Sequence, residues 1–212
     1  MRATSGTFLY LGGPDGPSSS PIELPSRGTV IACAGDVDGD GLADIVLGPG
    51  VSIVFGDASG VFSTPTTLAE PSGNTGDGFG NSVAAAGDID GDGFADLLVG
   101  APSEDGSTGR AYVYLGSASG PAAAPIEIDG ASDFGSSVAG AGDVNGDGFA
   151  DVLVGVPPPD ASATSPQGTV SLYWGDATGL GSTPVVLGAF YGYTFASFDL
   201  VEVRAAGRRR WL

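Results

Sequence analysis

The amino-acid sequence predicts an all-β fold built from β-propeller blades, each with about four short antiparallel strands. An acidic segment recurs about every 50 residues, which is the signature of a repeat architecture. Apolar and aromatic runs of about five residues end at glycine, as short buried strands do. Gly and Pro, 38 and 15 of the 212 residues, interrupt the chain too often for an amphipathic helix.

The first two strands of each repeat flank the acidic segment. Its three copies read AGDVDGDGLADIVLG at 34–48, AGDIDGDGFADLLVG at 86–100 and AGDVNGDGFADVLVG at 141–155. The apolar run that closes each copy predicts a buried strand. The segments FGNSVAAAGD at 79–88 and FGSSVAGAGD at 134–143 lead into the second and third copies.

Two further strands complete the repeat. Runs of aromatic and β-branched residues break into Gly-rich turns, and proline-led segments follow as outer strands. Since one blade cannot bury both of its faces, the blades must stack, and we expect an incomplete propeller of three to four blades. The runs are GTFLYLGGPDG at 6–16, VSIVFGDASG at 51–60, RAYVYLGSASG at 110–120 and TVSLYWGDATG at 169–179, and the outer segments are PIELP at 21–25 and PIEIDG at 125–130.

Composition excludes several classes of function. The net charge is −18, with 25 acidic and 7 basic residues, so a phosphate-neutralising nucleic-acid surface is not expected. The absence of His and the single Cys exclude a zinc site, a Ser-His-Asp triad, a Cys-His pair and an internal disulfide. No apolar run reaches the ~20 residues of a membrane span, and residues 1–20 do not have the pattern of a signal peptide.

The acidic loops predict three calcium sites. Acids at alternate positions of a tight loop repel one another unless a cation lies between them. Ca²⁺ takes 6–8 oxygens from carboxylates, backbone carbonyls and water. Side-chain oxygens at loop positions 1, 3, 5 and 9 and the carbonyl at position 7 would supply them. The predicted ligands are Asp36, Asp38, Asp40, Leu42 and Asp44; Asp88, Asp90, Asp92, Phe94 and Asp96; and Asp143, Asn145, Asp147, Phe149 and Asp151.

Other interpretations of the loops are weaker. A solvated Asp-Gly turn explains one loop but not three loops in phase with flanking strands. Mg²⁺ demands a near-ideal octahedron and retains its waters. An EF-hand needs Glu at loop position 12, where this sequence has Leu47, Val99 and Val154. Asn145 keeps an oxygen but loses a charge, so the third loop is expected to bind more weakly.

Two short motifs flank the loops. Phe79-Gly80 and Phe134-Gly135 precede two of them, and Gly100-Ala101-Pro102 follows the second. In this order the motifs resemble the FG-GAP repeats of integrin α-subunit β-propellers and their bacterial relatives, over roughly residues 5–190. The resemblance implies calcium sites between neighbouring strands of a blade, and ligand binding on propeller loops beside a partner chain. Variants are Gly155-Val156-Pro157 and the shortened Gly48-Pro49, and Gly28-Thr29 stands in place of the first FG.

The ends of the sequence predict two regions. Residues 1–203 are assigned to the FG-GAP propeller segment. Residues 204–212 are assigned to a basic tail, which is interpreted as a frameshifted or truncated blade. The resemblance implies a seven-bladed ring of roughly 385 residues at about 55 per blade. The chain is therefore expected to be a fragment of a longer protein, or a half-ring that pairs with another.

The predicted function is a calcium-binding, integrin-α-like module with a structural and adhesive role. It would display loops to a protein or glycan ligand at the cell surface or outside the cell, without enzymatic activity. The alternative is an accessory propeller of, or a fragment from, an extracellular hydrolase or lyase. Two further expectations concern single residues: Cys33 is predicted to be buried, because it aligns with Ala85 and Gly140, and Glu104 is predicted to be exposed.

Overall fold

The fold is described by a computed structural model of the chain. The described residues are 6–58, 64–73, 76–106, 108–158 and 168–190. The predicted basic tail lies outside them.

The described residues form sixteen strands and one turn of 3-10 helix, which matches the predicted all-β class. No helix among them is both long and apolar enough to cross a bilayer. In chain order the elements are β1 (Phe8–Leu9), β2 (Ile22–Glu23), β3 (Val30–Gly35), β4 (Asp44–Gly48), β5 (Ser52–Val54), β6 (Thr66–Thr67), β7 (Ser82–Gly87), β8 (Asp96–Ala101), η1 (Glu104–Gly106), β9 (Arg110–Tyr114), β10 (Ile126–Asp129), β11 (Ser137–Gly142), β12 (Asp151–Val156), β13 (Gly168–Tyr173), β14 (Gly175–Asp176), β15 (Gly179–Leu180) and β16 (Val185–Phe190).

Three four-stranded antiparallel sheets form the propeller-type blades. The first blade is β3-β4-β5-β6, the second is β7-β8-β9-β10 and the third is β11-β12-β13-β16. Each is a meander; in the third, the small ribbon β14-β15 is inserted before the outer strand. A further two-stranded sheet, β1-β2, precedes them. The prediction of blades with about four short strands is confirmed.

Each inner strand ends in a β-bulge that turns the chain into the acidic loop. The pairing register shifts between Cys33 and Gly35 in the first blade and at the equivalent places in the other two. Gly35 has a φ of 80°, and a Cβ there would lie 2.5 Å from the Cβ of Ala95 in the second blade. Glycine is needed here for both its backbone conformation and the close contact.

The core lies between neighbouring blades. Val46 and Ile53 of the first blade pack with Leu97, Val99 and Tyr112 of the second, and all five are fully buried. A second cluster joins the second and third blades in the same way. Burying one such side chain stabilises the fold by about 1.5–3 kcal/mol, so stacking of the blades contributes substantially to stability.

Across each blade interface, the glycine of an FG motif (Gly80 or Gly135) lies in close contact with the glycine that begins a GAP-type motif (Gly48 or Gly100). A Cβ on Gly48 would collide with the carbonyl oxygen of Gly80, and one on Gly100 with that of Gly135. The Ser82 hydroxyl also donates a hydrogen bond to the Gly135 carbonyl at 2.7 Å. The GAP glycine of one blade therefore makes room for the backbone of the next blade's FG motif.

The prediction that Cys33 is buried is wrong. Cys33 is exposed, and Ile31 on the same strand is 52% exposed. Both alternate with residues that face the second blade, so they point to the opposite side of the sheet. Alignment with Ala85 was misleading, because the inner strand of the second blade lies between two blades.

Gly100→Ala is expected to destabilise the fold by about 1–3 kcal/mol, because the added methyl meets backbone that cannot easily move. Gly12→Ala is the matched control, since a Cβ there has no neighbour within 4 Å. Its change should stay within about 0.5 kcal/mol. Urea unfolding of both variants measures the difference, and equal stability would contradict the proposed close packing.

Candidate metal centres

The three acidic loops occupy the same place in each blade. Residues 36–44, 88–96 and 143–151 connect the first strand of a blade to the second. Position 1 of each loop organises the turn. The Asp36 Oδ1 atom accepts hydrogen bonds from the backbone N–H groups of Gly39 (2.7 Å) and Asp40 (3.0 Å), and its Oδ2 atom accepts one from Gly41 (2.8 Å).

The same bonds recur in the other loops. Asp88 accepts from three backbone N–H groups at 2.7–3.0 Å, and Asp143 does so at 2.6–3.1 Å. These interactions fix the position-1 carboxylate in one orientation without any metal. The loops are therefore ordered around that side chain, which limits the rearrangement that metal binding would require.

Carboxylates converge in the first two loops. Ligand-capable oxygens of Asp36, Asp38 and Asp40 all lie within 4.8 Å of one another, and so do those of Asp88, Asp90 and Asp96. Burial, followed by the neighbouring Asp92 carboxylate, raises the pKa of Asp90. Clustered hard oxygen donors with unbalanced negative charge fit a divalent cation such as Ca²⁺.

The position-9 aspartates have a structural role that the sequence interpretation missed. Asp44, Asp96 and Asp151 are fully buried. In the second loop, Asp96 Oδ2 accepts from the Ile89 N–H at 2.7 Å, and its Oδ1 accepts from the Gly116 N–H at 2.8 Å.

Each position-9 carboxylate thus joins the acidic loop to the turn after the third strand. The equivalent bonds reach Gly56 in the first blade (2.8 Å) and Gly175 in the third (3.0 Å). The sequence does show a recurring glycine after the aromatic run of each third strand. Its spacing from the acidic loop did not reveal that its N–H donates a hydrogen bond to the position-9 carboxylate.

Burial sets the protonation of these aspartates. Burial raises the pKa of Asp96 to about 6, and the negative charges of Asp90 and Asp92 add to this rise. The hydrogen bonds from the Gly116 and Ile89 N–H groups act in the opposite direction and lower the pKa. Burial likewise raises the pKa of Asp44 and Asp151. Because the folded-state pKa lies above the unfolded value, the Asp96 contribution to stability is lost as pH rises toward and through about 6 without a cation.

The side chains at position 7 connect successive loops. The Phe94 ring lies against Gly39 of the preceding loop, and a Cβ on Gly91 would lie 2.8 Å from the Phe149 ring. The backbone carbonyl of Asp36 also accepts a hydrogen bond from the Ala95 N–H at 2.8 Å. The loops therefore form one connected row across the blades.

The third loop differs from the other two. The Asn145 side-chain amide donates a hydrogen bond to Asp147 Oδ2 at 2.7 Å, which engages an oxygen that a cation would use. Asp143, Asn145 and Asp147 are all exposed. Among the described residues, the clusters of three acidic ligands fall in the first two loops.

Glu104 is buried, contrary to the sequence-based expectation. It is 1% exposed, accepts a hydrogen bond from the Tyr112 hydroxyl (2.6 Å) and pairs with the Arg110 guanidinium (2.9 Å). Arg110 also pairs with Asp129 at 2.5 Å. This network ties the loop after the GAP motif to β9, so Glu104 is a structural residue.

The fold and these loops define a repeat protein of propeller-type blades with an acidic loop between the first and second strands of each. Comparison with known families identifies the repeat in two of the blades. Residues 79–114 and 134–173 match the FG-GAP repeat, and these segments cover most of the second and third blades. Both of these blades are FG-GAP repeats, and Phe79 and Phe134 stand at the first residue of each match.

The chain is similar to integrin α subunits. It is 37% identical over 152 residues to mouse integrin alpha-E, which covers 59% of this chain and 13% of that protein. Identity to mouse integrin alpha-8 is 34% over 167 residues, covering 71% of this chain and 15% of the relative. For Xenopus laevis integrin alpha-4 it is 31% over 140 residues, with 58% and 14% coverage. The chain thus spans about one-seventh of these relatives.

Asp96→Ala is expected to destabilise the calcium-free protein by at least about 2 kcal/mol. It leaves the buried N–H groups of Ile89 and Gly116 without acceptors, and each lost partner costs about 1–3 kcal/mol. Asp90→Ala is the control, because its carboxylate accepts one longer bond, from Asp92 N–H at 3.2 Å. Chemical unfolding in chelator tests this; equal losses for both variants would contradict the structural role of Asp96.

Proposed function

We propose that this chain is a calcium-stabilised FG-GAP propeller segment with a structural and adhesive role outside the cell. The observation that carries the proposal is the convergence of carboxylates in loops that recur at one place in successive blades. Similarity to integrin α subunits supports the same role.

Each loop would hold its cation with the side chains at positions 1, 3, 5 and 9 and the carbonyl of position 7. Bound calcium would supply charge neutralisation and a cross-link between loop segments. The protein's part is to fix the donors beforehand: backbone N–H groups hold Asp36 and Asp88 in place. The buried position-9 carboxylate fixes the far end of the loop against the third strand.

Calcium affinity in the range of extracellular modules suits this role. With a Kd on the order of 10⁻⁴–10⁻³ M, millimolar calcium adds about 0.4–1.4 kcal/mol per site. That is a useful fraction of a total stability of about 5–15 kcal/mol. Cytosolic calcium would leave such sites empty, which favours an extracellular or cell-surface location.

The adhesive role would come from rigid display of loops. The proposed partner is a protein or glycan, in a module without enzymatic activity. The acidic clusters at positions 1 to 5 are engaged in organising their own loops, and Glu104 is neutralised by Arg110. We propose residues 1–203 as the propeller segment and 204–212 as a separate tail.

Calorimetric titration of the calcium-stripped chain is expected to show sites in the first two loops and weaker binding in the third. The melting temperature should rise with calcium, because the ion binds the folded form. Asn145→Asp should strengthen the third site by restoring a carboxylate. Absence of calcium binding by a cooperatively folded chain would refute the proposal, whereas preference for Mg²⁺ would change only the ion.

The adhesive part is tested by binding of the immobilised chain to purified extracellular-matrix proteins and to glycans. Saturable binding is expected in calcium and should be lost in chelator and in Asp38→Ala/Asp90→Ala. An Asp15→Ala chain is the matched control, because Asp15 is exposed and lies outside the acidic loops. No binding across both panels would leave a structural role and overturn the adhesive one.

A further inference from the structure

The third acidic loop contains Asn145 followed by Gly146, the single Asn-Gly pair of the sequence. The other two asparagines, Asn74 and Asn81, precede a threonine and a serine. A backbone nitrogen can attack the preceding asparagine side chain most easily in glycine, which has no side chain to shield it. A Cβ on Gly146 would have no neighbour within 4 Å among the described residues, and both residues of the pair are exposed. The backbone nitrogen is therefore unhindered and accessible to water.

A carboxylate contacts this backbone nitrogen. The Gly146 N–H donates a hydrogen bond to Asp143 Oδ1 at 2.6 Å. An amide nitrogen becomes nucleophilic only as it loses its proton, and a carboxylate in hydrogen-bond contact is placed to accept that proton. Two further backbone N–H groups, those of Asp147 and Gly148, hold the same carboxylate in its orientation. The loop therefore supplies a general base that is fixed before any reaction begins.

The side-chain carbonyl of Asn145 is polarised by the same loop. Asn145 Oδ1 accepts a hydrogen bond from the Asp147 N–H at 2.9 Å. Attack on Cγ places negative charge on Oδ1, and a fixed N–H donor stabilises that charge as it develops. The side-chain amide donates to Asp147 Oδ2 at 2.7 Å, which fixes the orientation of the group. A nucleophile, a base and an oxyanion donor thus lie together within residues 143–147.

We propose that Asn145 is a site of spontaneous deamidation, which gives the third loop the three alternating carboxylates of the other two. The Gly146 nitrogen forms a bond to Asn145 Cγ and passes its proton to Asp143, which transfers it to the departing amide. The Cγ–Nδ2 bond breaks, ammonia leaves and a succinimide remains. Water then opens the ring at Cγ, which restores the peptide bond and leaves an aspartate carboxylate. One water is consumed and one ammonia is released, with no change in oxidation state.

The other two loops show that aspartate fits this position. Asp38 Oδ1 accepts a hydrogen bond from the Asp40 N–H at 3.3 Å, and Asp90 Oδ1 accepts one from the Asp92 N–H at 3.2 Å, as Asn145 does in the third loop. Opening of the succinimide at its main-chain carbonyl would instead give isoaspartate, which adds a methylene to the main chain and disturbs these bonds. Isoaspartate can close to the succinimide again, so aspartate is the expected end product.

Deamidation would remove the feature that makes the third loop a weaker cation site. An aspartate at this position has no amide hydrogen to donate to Asp147 Oδ2, so that oxygen becomes available to a cation. The loop also gains one negative charge. Calcium affinity in the third loop would therefore rise as the protein ages, at a rate that the chain itself sets. This consequence rests on the proposed calcium role, whereas the chemistry of the deamidation does not.

The test is incubation of the full chain in chelator at neutral pH, with peptide mapping by mass spectrometry over time. A synthetic peptide with the sequence of residues 141–151 is the reference. Asn145 should react at least about tenfold faster in the folded chain than in the peptide, because a positioned general base contributes about 10²–10⁴-fold. Asn81 is also exposed and should stay intact. Asn145→Gln should keep its amide, because its side chain would have to close a larger ring.

Reaction in the folded chain at or below the rate of the peptide would overturn the proposal, because the loop hydrogen bonds would then protect Asn145. A mainly isoaspartate product would overturn it as well. The aged chain should bind calcium in the third loop more tightly than the fresh chain and as tightly as Asn145→Asp; equal binding by aged and fresh chains would contradict the consequence for calcium. Deamidation without calcium binding in any loop would remove only the calcium role. Calcium binding with an intact Asn145 would remove only the modification.

Discussion

The buried aspartate at the ninth position of each acidic loop is the interaction on which the blade depends. Its two oxygens accept hydrogen bonds from two backbone segments that are far apart in sequence, one in the loop and one after the third strand. A carboxylate buried this deeply is costly unless it is satisfied. Here it is satisfied by backbone alone, so the loop, the second strand and the third-strand turn must adopt one arrangement.

That local arrangement extends from blade to blade. The first residue of one loop accepts a backbone hydrogen bond from the next loop, and an aromatic ring at the seventh position lies on the preceding turn. At the opposite end of the strands, paired glycines allow the backbones of adjacent blades to touch. Each interface is thus held at both ends, with an apolar core between.

Repetition made most of the architecture predictable from the sequence. Apolar runs between glycines gave the strands, and the alternating acids of the loops gave the carboxylate cluster, because both depend on residues close together in the chain. Cys33 and Glu104 were misjudged because their burial depends on residues distant in sequence. The exposure of Cys33 depends on whether its strand lies between two blades. The burial of Glu104 depends on its partners Tyr112 and Arg110. The role of the ninth position was missed for the same reason.

The glycine contacts between blades have a consequence for how such chains diversify. Because this contact is made by main-chain atoms, it does not depend on the propeller-loop side chains that differ between repeats. Duplication or deletion of a whole repeat would recreate the same junction on either side. Gene-level gain and loss of repeats can therefore change the number of blades while loop sequences evolve separately.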